Sequence, residues 1–154
     1  MSTVEARLAE HGLTVPEVAV PVAAYIPAVR TGNLVYTSGQ LPMQSGELIA
    51  TGIVGTDLDE VAAAAGAQQC ALNAIAAVKS VIGDLDKVVR VVKVVGFVAS
   101  APTFTKQPVV INGASELFAK AFGDAGVHSR SAVGVSALPL NAAVEVEVIV
   151  EVRD

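Results

Sequence analysis

The chain has 154 residues, enough for one hydrophobic core and short for two domains. Hydrophobic residues make up 53% and charged ones 16%, which excludes a disordered chain. A net charge of −5, 4% aromatic residues and the lack of any Lys/Arg run argue against a nucleic-acid surface.

Residues 1–12, MSTVEARLAEHG, are polar and mixed in charge, unlike a signal peptide, and no apolar run reaches the roughly 18 residues of a membrane span. A cytoplasmic protein with no membrane contact is expected. Residues 3–11 predict a short amphipathic helix with Val4 and Leu8 on one side and Gly12 at its end. Pro16, Pro21 and Pro27 then enforce an extended segment. The turn Thr31-Gly32-Asn33 delivers a strand over Leu34–Ser38, and a second turn at Ser45-Gly46-Glu47 precedes a short strand over Leu48–Ile53.

A long helix is expected from about Asp59 to Ile82, capped by Asp57 or Asp59 and stopped by Gly83. Its apolar face is read as Val61, Ala65, Leu72, Ile75, Val78 and Ile82, and Gly66 inside it implies close packing. Cys70 lies in this helix and cannot close a disulfide alone. It reads as a small core residue, with a nucleophile as the alternative. Val88–Val98 is apolar almost throughout, as in a strand covered on both faces. A second helix follows over Gln107–Phe122, with Val110, Leu117, Phe118 and Phe122 inward. Ser129–Ala137 and Ala143–Val152 complete the pattern as strands around the turn Leu138–Asn141. The last strand alternates valines at 144, 146, 148, 150 and 152 with Glu145, Glu147, Ile149 and Glu151. The order βββαβαββ makes residues 1–154 one α+β domain, a single mixed sheet with two helices packed on one face. So few charges for so much apolar mass imply a subunit interface.

No phosphate-binding glycine loop and no serine-hydrolase elbow occurs, and His11 and His128 stand too far apart to suggest a metal site. Glu145, Glu147 and Glu151 read either as catalytic carboxylates or as a solvated strand face. Arg130, in Ser129-Arg130-Ser131-Ala132-Val133, can take a carboxylate in two parallel hydrogen bonds or pair with a Glu of the neighbouring strand. His128 reads as a surface residue beside it.

Three stretches together resemble the Rid/YjgF family, also called endoribonuclease L-PSP, whose best-known members are enamine/imine deaminases. They are Gly32–Pro42 with its Ser38-Gly39-Gln40-Leu41-Pro42 end, the helix segment Asn112–Phe122, and Arg130–Val133 continuing through Leu138-Pro139 to Val144–Glu147. The resemblance spans about residues 20–152 and implies a chorismate-mutase-like fold and a homotrimer with clefts between subunits. It also implies that Arg130 clamps a substrate carboxylate, that Glu145 positions the hydrolytic water, and that Tyr25, Ser38, Gly39 and Asn112 line the pocket. No metal or cofactor is implied. Ala132 stands where many deaminases carry a cysteine, and Gly134 and Ala137 replace bulkier residues. Residues 1–19 form an N-terminal extension, as in a longer subgroup of the family. The activity expected is hydrolysis of 2-imino or 2-enamino acids to 2-oxo acids and ammonia. The alternatives are a binding protein for a small carboxylate metabolite and a ribonuclease.

Overall fold

A computed structural model of the chain describes residues 1–18, 21 and 23–154, so residue 19, the end of the extension as read above, lies outside them. Helix α1 (Thr3–Glu10) starts in a capping box, in which Ser2 and Glu5 each accept the other's orphan N–H. It buries Val4 and Leu8 and packs on a later helix, α3 (Gln107–Phe122). Strands β1 (Ala28–Thr31) and β2 (Leu34–Thr37) form a hairpin, and a two-residue hairpin, β3 (Met43–Gln44) with β4 (Glu47–Leu48), stands apart from the main sheet. Then come α2 (Glu60–Ile82), β5 (Val88–Ala99), α3, β6 (Ser129–Val135) and β7 (Val144–Val152).

The main sheet has the order β1-β2-β7-β5-β6. It is antiparallel except for β5 and β6, which run parallel across the α3 connection. Helices α2 and α3 pack on each other and on one face of this sheet. The alternating valines of β7 are all buried against them, while Glu145, Glu147, Ile149 and Glu151 share the opposite, open face.

The helices approach the sheet closely. A Cβ on Gly66 would lie 2.7 Å from Ala50 Cβ and 3.1 Å from Val144 Cγ1, the tight packing that a glycine in mid-helix implied. One on Gly113 would meet the Ala64 carbonyl oxygen of α2, so α2 and α3 touch backbone to backbone. By length and composition α2 could cross a membrane, but 67% of that window is buried in the fold. Cys70 is part of this core. Burial pushes its thiol well above the ordinary value, which makes it a poor nucleophile.

Two readings of local structure need correction. Leu48–Ile53 is no strand beyond Leu48, because Gly52 takes φ +95° and the Asp57 carboxylate captures the Ile53 N–H at 2.8 Å, which folds the segment into a turn. The core face of α2 excludes Val61 and Ala65, which are exposed. It keeps Leu72, Ile75, Val78 and Ile82 as read, and adds Ala63, Gly66, Ala67, Cys70, Ala71 and Ala74, whose small side chains allow the close approach at Gly66.

Candidate functional site

Arg130 lies on the edge strand β6, in register with Val94 of β5, and so faces the helices rather than the open side. Its guanidinium meets α3 along one stripe, at residues 108, 112 and 115, spaced four and three apart on one helical face. Nη1 donates to Asn112 Oδ1 at 2.8 Å and to Ser115 Oγ at 3.1 Å, and Nη2 donates to the Pro108 carbonyl at 3.2 Å. All three acceptors are neutral. The ion pairs among the described residues join Arg30 to Asp154, Lys79 to Glu5 and Lys106 to Glu60, and none involves Arg130. The expected alternative, a pair with a Glu on the neighbouring strand, is not formed. Of five guanidinium donors, Nε–H and one Nη2–H have no partner among the described residues, enough for both oxygens of a carboxylate.

Behind Arg130 stands a pair that the sequence reading missed. His128 is half-buried rather than a surface residue. Its Nδ1 lies 2.6 Å from the Gly126 carbonyl, and its Nε2 lies 2.9 Å from Ser115 Oγ. A carbonyl only accepts, so Nδ1 carries a proton, and in the tautomer with that proton Nε2 accepts from the Ser115 hydroxyl. The Ser115 lone pairs are thereby turned toward Arg130. Phe118 braces the ring edge-on, with centroids 5.9 Å apart.

Glu145 belongs to a second cluster on the open face, built around a bulge. Tyr36 opposes Ile149, but Gln40 opposes Val146, so residues 37–39 of one strand face only 147 and 148 of the other. The buried Thr37 hydroxyl accepts the Val148 N–H at 3.0 Å, which the bulge leaves without a backbone partner. Gly39 lies directly under the Glu145 carboxylate, where a Cβ would fall on Oε1. The glycine is therefore required by the carboxylate's approach. Burial raises the Glu145 pKa above its ordinary 4.5, and the Glu147 charge adds to the shift.

Ser38 fastens the preceding segment to this bulge. Its N–H donates to the Pro27 carbonyl at 2.8 Å and its hydroxyl to the Ile26 carbonyl at 2.7 Å. That fixes the neighbourhood of Tyr25, whose side chain is 56% exposed. The sites read from the sequence thus fall into two sets. Arg130 and Asn112 meet on the helix side, whereas Glu145, Gly39 and Ser38 gather at the bulge, and Tyr25 stands exposed one residue before the Ile26 carbonyl that Ser38 holds. Alternation along β6 and β7 keeps the two sets apart within one chain.

Comparison with known proteins agrees with this architecture. Residues 5–152 match the family described as "YjgF/chorismate_mutase-like, putative endoribonuclease". The chain is similar to Protein TCP17 of Trypanosoma cruzi, 42% identical over 98% of this chain and 95% of that protein. It is also similar to a 2-iminobutanoate/2-iminopropanoate deaminase of Dermatophagoides farinae, 35% identical over 86% of this chain and 89% of that one. A crystal structure of a protein of unknown function from Agrobacterium tumefaciens superposes with a TM-score of 0.92 at 50% identity, covering 97% of this chain and 92% of that chain. With the sheet order, the helix placement and 148 consecutive matched positions in agreement, this chain belongs to the YjgF/chorismate-mutase-like family.

Proposed function

We propose that the protein hydrolyses reactive 2-imino and 2-enamino acids to 2-oxo acids and ammonia in a cleft between two copies of the chain. The observation that carries this reading is Arg130, a cation held by three neutral acceptors with two donors to spare. It suits a planar carboxylate and fixes the adjacent imine carbon in place. Water adds to the carbon of the protonated imine and gives a proton to Glu145, forming a neutral carbinolamine. Glu145 passes that proton to the nitrogen, and as the C–N bond breaks it takes the carbinolamine hydroxyl proton, leaving the 2-oxo acid and ammonia. A carboxylate with a raised pKa suits these transfers, because it is easier to protonate and still basic near neutrality.

Arg130 and Glu145 lie on opposite sides of one sheet, so the proposal requires a neighbour. The edge at β6 of one subunit meets the open face of the next, giving three equivalent clefts in a homotrimer. Exposed Val29, Tyr36 and Val133 on that open face support the arrangement. A cytoplasmic setting belongs to the same proposal.

One observation favours a second reading, a binding protein for a small carboxylate metabolite. Ala132 and Gly134, which share Arg130's side of β6, offer no polar side chain to a reacting nitrogen. Ribonuclease action has less support, since the net charge is −5 and the Arg130 cluster holds a single cation. Ammonia release from freshly generated 2-aminoacrylate and 2-iminobutanoate separates these readings. The wild-type chain should accelerate release over the spontaneous rate, and Arg130→Ala should lower kcat/KM by about a hundredfold. Saturable binding of 2-oxobutanoate without any acceleration would favour the binding protein.

A further inference from the structure

A cleft of about 830 Å³ lies on the helix side of the molecule, away from both Arg130 and Glu145. One wall is the N-terminal extension through Leu13 and Glu17, another is the β3–β4 hairpin through Met43, and the floor is α2 through Gln69 and Leu72. Its volume is in the range of small-molecule sites, roughly 300–1,000 Å³. Nothing in the proposed reaction uses it.

Its chemistry is set by a chain of amides. Asn73 Nδ2 donates to the carbonyls of Leu41 and Met43 at 3.0 and 2.9 Å, which fixes the orientation of that amide. Asn73 Oδ1 must then be the acceptor for Gln69 Nε2, at 3.1 Å. The orientation of Gln69 follows: its Oε1 is the free end. Gln69 is only 7% exposed, yet among the described residues its Oε1 has no hydrogen-bond partner. No fully buried side-chain oxygen or nitrogen among those residues is unpartnered, so this oxygen opens onto the cleft. A pre-set acceptor in a largely buried amide calls for a donor. The remaining electrostatics narrow the donor's type. Among the described residues Glu17 carries the one charged side chain of this lining, and Lys79, which shares an adjoining cleft with Glu17, is already paired with Glu5. Met43, Leu72 and Leu13 supply apolar walls.

We propose that this cleft binds a small organic ammonium, its nitrogen donating to Gln69 Oε1 beside the Glu17 carboxylate and its apolar body lying along Met43 and Leu72. The preference is opposite to that at Arg130, which takes a carboxylate. Residues 12–17 of the extension thereby gain a role as one wall of a second site.

The test is titration of the full-length protein with phenethylammonium chloride, followed by amide NMR shifts, with 3-phenylpropionate as the anionic control. Saturable shifts confined to residues around Gln69, Glu17 and Met43 are expected, with binding of the anion at least about tenfold weaker. Gln69→Met removes the acceptor at similar volume and should weaken binding about tenfold or more, the range for a hydrogen bond to a charged group. Glu17→Gln, at the exposed rim, should weaken it several-fold, and Ala65→Trp, which fills the cleft from an exposed position, should abolish it. Those two variants keep the test valid if Gln69→Met fails to fold. Arg130→Ala should leave the affinity unchanged. Absence of saturable shifts up to about 10 mM, a weak-fragment affinity, overturns the proposal. Equal binding of amine and carboxylate, or affinity untouched by Glu17→Gln and Ala65→Trp, also overturns it.

Discussion

At the scale of single residues, Gly39 and Glu145 act as one unit, because the carboxylate occupies the space a side chain at 39 would need. Gly39→Ala should displace the carboxylate and lower kcat by about a hundredfold, the low end of what a general base contributes. The folded state raises the Glu145 pKa above 4.5, so it favours the protonated form. The sign for stability follows. The charged carboxylate destabilises the fold above its folded pKa, and the penalty disappears as pH falls below the unfolded value. Glu145→Gln should therefore melt higher than wild type near pH 7, with the difference vanishing below about pH 4. The same variant should abolish turnover and the acidic limb of its pH profile. Calorimetry and rate profiles on one preparation check both halves. At Arg130, His128→Ala should release the Ser115 hydroxyl and let the guanidinium wander. Several-fold higher KM with a smaller change in kcat is expected, and a large kcat effect alone would argue against a positioning role.

At the scale of elements, α1 is held by charge as much as by Leu8. Glu5 accepts from Ser2 and pairs with Lys79, and the Lys79 hydrogen bond is the main reason its pKa falls to about 2. The Asp86 carboxylate takes the N–H groups of Thr3 and Val4, which lowers its pKa as well. Both groups support folding fully above their unfolded pKa values, and that support is lost as pH falls toward their folded ones. Protection of the Leu8 amide, relative to its intrinsic exchange rate at each pH, should therefore fall between about pH 4.5 and 2, before that of the β7 amides. Legibility of the elements tracked how locally each was determined. The alternation of β7, the α3 span Gln107–Phe122 and the Asp59 cap of α2 could be read from neighbours in sequence. The loss of strand after Leu48 depends on a side-chain bond from Asp57, and the exposure of Val61 depends on how close α2 lies to the sheet. At the site, Arg130 stood out as a lone cation beside an apolar strand. Ser115 and His128 did not, because their contact arises only when α3 crosses back over β6. The bulge was equally hidden, since register is a property of two strands.

At the scale of the whole molecule, one chain holds the clamp on one side of its sheet and the carboxylate on the other. Sedimentation should give three times the 15.6 kDa chain mass. Val133→Asp, on the open face, should yield monomers that keep their helical signal and lose turnover. A mixing experiment is more specific. Refolding inactive Arg130→Ala chains together with inactive Glu145→Gln chains should restore roughly a quarter of wild-type activity, the share of clefts in a 1:1 mixture that draw both intact groups. No recovery in verified mixed trimers would mean that each chain works alone.

The bulge at residues 37–39 has a consequence for how this chain can change over generations. Thr37 and Gln40 face the same side of the sheet although their positions differ by three, an odd step. The segment therefore carries a parity. Losing one residue between Tyr36 and Gln40 would restore plain alternation and could leave a well-paired sheet, but it would remove the seat beneath Glu145. Losing or gaining one residue in β1 or its turn, with β2 held in register by β7, would turn Ala28 outward and Val29 into the core. Insertions and deletions here should thus be far rarer than substitutions, and segment length should persist even where residue identities drift.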